Sequence, residues 1–93
     1  MATISNKEQV ARLREQLMKL SWPQKYMFKF VMPNDSSKVD AVVEMLPKSG
    51  LTTFKNSSNG KYVSVSCVAT MASADDVLDI TERAASVEGV ISL

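Results

Sequence analysis

Histidine is absent from the 93 residues, and there is a single cysteine, Cys67. The first absence removes the commonest general base and the commonest metal ligand. Together they exclude a thiolate–imidazole zinc site within one chain, and a lone cysteine cannot form an intramolecular disulfide. No apolar run approaches the roughly 20 residues that a membrane helix needs. The N-terminal stretch MATISNKEQVARLREQL lacks the apolar block of a signal peptide. These readings point to the cytoplasm, with no membrane as a partner. Glycine and proline are scarce, three of each. Every one of them falls where a helix or strand pattern breaks.

What is present suffices for one small domain. Apolar residues make up 45% of the chain, enough for a single core of modest stability. The net charge of +1 conceals a segregation. Residues 1–32 carry Lys7, Arg12, Arg14, Lys19, Lys25 and Lys29 against Glu8 and Glu15. Residues 62–93 carry Arg83 against Asp75, Asp76, Asp79, Glu82 and Glu88. Such a distribution permits one basic face on an otherwise acidic body.

The stretch at 51–70, LTTFKNSSNGKYVSVSCVAT, organises the rest. It reads as two strands joined at Ser58-Asn59-Gly60, where Asn59 and Gly60 both tolerate positive φ. After the turn, Val63, Val65, Cys67 and Ala69 alternate with Tyr62, Ser64, Ser66 and Val68, one set inward and one outward. An earlier strand at 24–32 alternates the same way, with Tyr26, Phe28, Phe30 and Met32 facing the core. Three helices complete the pattern. The first opens on a capping box, Ser5 with Glu8, and carries the stripe Val10, Leu13, Leu17 and Leu20; Ser21-Trp22-Pro23 ends it. The second follows Pro33-Asn34-Asp35-Ser36 with Val39, Val42, Val43 and Leu46 and stops near Leu46, before Pro47 and Gly50. The third begins at Ser73 with Asp75 and Asp76 in its first turn and carries Val77, Ile80, Ala84 and Val87. Gly89 ends it before a short strand, Val90-Ile91-Ser92-Leu93. The order is a ferredoxin-like βαββαβ sandwich with a four-stranded antiparallel sheet over 22–93. It is preceded by an N-terminal amphipathic helix within 1–21. One core is expected to gather Phe28, Phe30, Val65, Cys67, Val42, Val43, Ile80 and Ala84. The stripe of the first helix is expected to bury itself on the free face of its own sheet or of a symmetric mate's, giving a monomer or a homodimer.

The segment Ser57-Ser58-Asn59-Gly60-Lys61-Tyr62-Val63-Ser64-Val65-Ser66 carries a resemblance. With Phe28-Lys29-Phe30-Val31-Met32, the helix at 39–46 and the closing strand, it resembles the YbeD-like family over about 22–93. These are small bacterial proteins of unassigned function whose ferredoxin-like fold is similar to that of ACT regulatory domains. The resemblance implies a non-enzymatic regulatory domain, since no catalytic residues carry over, and a lipoate-related ligand, from the lipoate-binding label given to some members. ACT domains bind ligands at a glycine-containing turn after the first strand. Here that turn is Pro33-Asn34-Asp35, without glycine, which argues against amino-acid binding.

Each motif that could carry chemistry has a plainer reading. Cys67 lies on the apolar side of its strand with no basic neighbour in sequence, as a small buried hydrophobe does. Asp75, Asp76, Asp79 and Glu82 lie along one helix, where the dipole and solvent account for them and a cation cage would need more convergence. Asn59-Gly60-Lys61 lacks the glycine density and following helix of a phosphate loop. The sequence therefore points to no catalytic residue, no metal and no cofactor. The leading expectation is a small regulatory or interaction domain that binds a small-molecule effector or a protein partner. Its candidate surface comprises Lys29, Lys61, Tyr62, Ser64 and Ser66, with Leu13 and Leu17 of the first helix. The alternative is a nucleic-acid-binding module that uses the open sheet face, since RNA-recognition domains share the topology. It is weakened by serines where stacking aromatics are wanted.

Overall fold

Local signals set the helices. In a computed structural model of the chain, which describes residues 6–92, α1 (Asn6–Met18), α2 (Ser36–Met45) and α3 (Ala74–Ala85) alternate with β1 (Gln24–Pro33), β2 (Leu51–Asn56), β3 (Tyr62–Met71) and β4 (Ile91–Ser92). The Asp35 carboxylate caps α2 by accepting from the Ser37 backbone N–H at 2.9 Å and the Ser37 hydroxyl at 2.7 Å. Those hydrogen bonds hold the carboxyl below its ordinary pKa. Ser73 caps α3 by accepting from the Asp76 N–H at 3.2 Å. The capping box at Ser5 lies outside the described residues.

The four strands form one antiparallel sheet in the order β2-β3-β1-β4. This is the ferredoxin-like α+β sandwich, preceded by a helix. Register places Phe28 opposite Cys67 and Phe30 opposite Val65. All four are buried, as are Val42, Val77 and Ala84, while Val43 and Ile80 pack half-buried against them. The strand parity read from alternation holds through β1 and β3. Tyr26 packs edge-on to Phe28, with centroids 4.9 Å apart, and partial burial raises its phenol pKa.

Two expectations are corrected. First, α1 does not cover the free sheet face; it packs on α3, in the helical layer. Leu17 is buried in the core, Val10 and Leu13 lie half-buried against it, and Leu20 is exposed. The Trp22 indole N–H donates to the Leu17 carbonyl at 3.0 Å, and Arg14 pairs with Asp75 at 3.2 Å. Because α3 meets the sheet, α1 and α2, it is buried over a wider arc than one stripe. Leu78 and Thr81 join Val77 and Ala84 inside, and the Thr81 hydroxyl donates to the Val77 carbonyl at 2.9 Å. Second, the turn falls at Ser58-Asn59-Gly60 as expected, but Asn59 does not take the positive φ that it tolerates. Gly60 has φ 72°, and among the described residues no non-glycine residue has a positive φ. Asn59 acts through its side chain instead, accepting from the Ser57 hydroxyl at 2.8 Å and the Lys61 N–H at 3.1 Å.

Candidate functional site

With the helices gathered on one side, the other face of the sheet is open. Its residues follow from parity and register. β1 contributes Lys25, Met27, Lys29 and Val31, and β3 contributes Tyr62, Ser64, Ser66, Val68 and Thr70. The edges add Leu51, Thr53 and Lys55 from β2 and Ile91 from β4. Every charged residue in this set is a lysine. The ten acidic residues all lie on helices, caps or loops. Among the described residues the ion pairs are Arg14–Asp75 and Arg83–Asp79, so Lys25, Lys29 and Lys55 take part in none.

The face also carries uncovered apolar groups. Leu51, Val68 and Met27 form a row across β2, β3 and β1. Leu51 is 70% exposed and Met27 59%. A second apolar pair, Val31 with Ile91, joins β1 to β4. Phe54, on the helical side of edge strand β2, is exposed as well.

Near the hairpin end the face dips into an open depression of about 260 Å3, lined by Lys29, Val31, Lys55, Asn56, Ser57, Tyr62, Val63 and Ser64. Register explains the grouping. Ser64 lies between Val31 and Lys55 on neighbouring strands, with Lys29 diagonal to it and Tyr62 two residues before it on the same side. The wall at Ser57 and Tyr62 is stiffened by its turn. The Ser57 N–H donates to the Tyr62 carbonyl, the Gly60 N–H to the Ser57 carbonyl, both at 2.9 Å, and the Tyr62 N–H to the Ser57 hydroxyl at 3.1 Å. Asn34, after β1, braces the same turn: its N–H donates to the Lys61 carbonyl at 2.9 Å, and its side-chain amide to the Gly60 carbonyl at 3.0 Å.

The structure thus brings Lys29, Tyr62 and Ser64 together. Ser66 lies on the same face beyond the depression, and Lys61 sits in the bracing turn without lining it. Leu13 and Leu17 belong to the packing of α1 on the opposite side and are not part of this surface. Lys55 is the residue that sequence reading missed. Its signal was the alternation of β2, which places Lys55 with Thr53 and Leu51, but so short and polar a strand gives little phase information. Cys67 is buried, with its thiol 4.0 Å from the Pro47 carbonyl. No group of three acidic or cysteine side chains among the described residues converges as a metal site would require. No helix among them is long and apolar enough to cross a membrane.

A family model described as a protein of unknown function (DUF493) matches residues 17–93. No curated protein and no solved structure matches the chain.

Proposed function

Because the chain belongs to the DUF493 family, whose function is unknown, its own surface must supply a reading, and we propose a non-catalytic interaction domain that docks an acidic protein segment on its open sheet face. One observation carries this: a face whose only charges are lysines also leaves the row Leu51, Val68 and Met27 uncovered. Apolar groups supply burial and unpaired cations supply attraction, so the fitting partner alternates carboxylates with apolar side chains. A second copy of the same face fits badly, since it would oppose lysine to lysine. The non-catalytic part of the reading rests on the lack of histidine and on a cysteine that is buried. A free buried thiol suits a reducing compartment, and we place the domain in the cytoplasm. A small carboxylate with an aliphatic body, of the lipoate kind, would meet the same groups. An ACT-like regulatory role is the small-ligand form of this proposal.

The lysines also favour a second reading, single-stranded nucleic acid. On this face Tyr62 is the one aromatic, and it stands at the end of β3. The centre, Met27, Lys29, Ser64 and Ser66, offers no ring for bases to stack on. The two readings separate in one experiment. Fluorescent peptides alternating Glu with Leu, and an oligouridine of matched charge, are titrated with the full chain at low and high salt. Peptide binding should weaken with salt and be lost in Lys29→Glu/Lys55→Glu and in Met27→Asp. Binding of the oligouridine alone would install the second reading. Binding of neither would remove the open face as the functional surface.

A further inference from the structure

We propose that the depression between Lys29 and Lys55 is a binding site for a phosphate monoester carried on a small molecule. This deepens the assignment of the open face as the binding surface and rests on it. Charge favours an anion in this hollow. Lys29 and Lys55 flank Ser64 from opposite sides, and neither belongs to an ion pair among the described residues. Two uncompensated ammonium groups beside one hollow both attract an anion placed between them.

The groups around the hollow favour phosphate over carboxylate. Lys29, Lys55 and Tyr62 line the same space with Ser64, whose hydroxyl donates to the Lys55 carbonyl at 3.4 Å and keeps its oxygen lone pairs on the hollow's floor. A carboxylate offers two oxygens and one charge. A phosphate monoester offers three terminal oxygens and about −1.5 to −2 charges at neutral pH. The donor set and the two cations match the phosphate better.

One wall of the hollow is preorganised. The wall at Ser57 and Tyr62 is held by its own turn and by Asn34 from the β1–α2 connection. A wall fixed before binding saves ordering entropy. The volume, about 260 Å3, lies just below the usual range for small-molecule pockets, roughly 300–1,000 Å3. A phosphate with a short carbon body fits such a hollow, and Val31 supplies an apolar side for that body. A nucleic-acid strand would instead need a continued cationic track and more rings.

The test is an amide-resolved NMR titration of the full chain at constant ionic strength. The probes are glycerol 3-phosphate, inorganic phosphate and acetate. Glycerol 3-phosphate should give saturable shifts at Lys29, Lys55, Tyr62 and Ser64, and acetate should not saturate. Lys29→Gln and Lys55→Gln should each weaken binding about tenfold, the loss of one charged hydrogen bond. Both lysines are exposed, so both variants should fold, with a Tm at low salt no lower than wild type. Met27→Asp, outside the hollow, should bind glycerol 3-phosphate normally while losing acidic peptides, so failure of peptide docking and failure of this site are distinguishable. Shifts spread equally over Lys19, Lys38 and Lys48, or saturation unchanged in Lys29→Gln/Lys55→Gln, would overturn the site. Inorganic phosphate binding as tightly as the ester would overturn the assignment of an ester ligand.

Discussion

Gly50 shows how much a single position can decide. Read in sequence it marks the end of α2; in the fold it lies against β3. A Cβ there would sit 2.7 Å from the Cys67 sulfur and 2.9 Å from both the Ala69 Cβ and the Val68 carbonyl oxygen. Two of those neighbours are buried core residues and the third is sheet backbone, so none can move aside cheaply. Gly50→Ala should therefore destabilise the domain by about 1–3 kcal/mol, as overpacked cores do, read from the midpoint of urea unfolding. An unchanged midpoint would mean that the segment before β2 can retreat from the sheet. Nothing in the local sequence separates this glycine from an ordinary helix stop, because the contact spans 17 positions of chain from Gly50 to Cys67. The parity of Phe28, Phe30, Val65 and Cys67, in contrast, was legible, because period-two alternation fixes a strand's faces without reference to distant residues. Asn59 falls between the two cases. Its residue type announces a turn, but whether it serves through its φ or its amide depends on where Ser57 and Lys61 lie.

At the scale of elements, α1 is where sequence reading reached its limit. The stripe Val10, Leu13, Leu17 and Leu20 identifies a side that seeks cover, but amphipathicity does not say what provides it. The missing information lay in α3, where Leu78 and Thr81 extend the apolar arc beyond the expected stripe. Two weights of contact hold α1 in place. Leu17 is 2% exposed, whereas the Arg14–Asp75 pair is largely in solvent at 54% and 72% side-chain exposure. Leu17→Ala should cost about 2–5 kcal/mol through the cavity it leaves. Arg14→Ala should cost under about 1 kcal/mol, since exposed pairs are weak and screened. Denaturant titrations of the two variants check the contrast. If Arg14→Ala proved the costlier, α1 would be held by charge and would detach at high salt.

At the scale of the molecule, the basic residues of 1–32 divide between two places: α1 carries Arg12 and Arg14 into the helical layer beside α3, and β1 sets Lys25 and Lys29 on the open face. The acidic residues of α2 and α3 lie in the helical layer, and the open face carries lysine alone. The same face holds Met27, Val68 and Leu51, a row that would otherwise invite a second copy. Lysines beside exposed apolar strands are a common guard against such pairing. The chain should accordingly sediment as a monomer at low ionic strength, where the Debye length is about 30 Å at 0.01 M and like faces repel. Near 1 M salt, with screening at about 3 Å, the apolar rows should begin to associate. Lys25→Ser/Lys29→Ser/Lys55→Ser should associate without added salt. The readout is sedimentation equilibrium over a range of protein concentration. A wild-type dimer at low salt that protects the amides of β2 from exchange would instead assign self-association to the β2 edge, where Phe54 is exposed, and would leave the lysine face free for its partner.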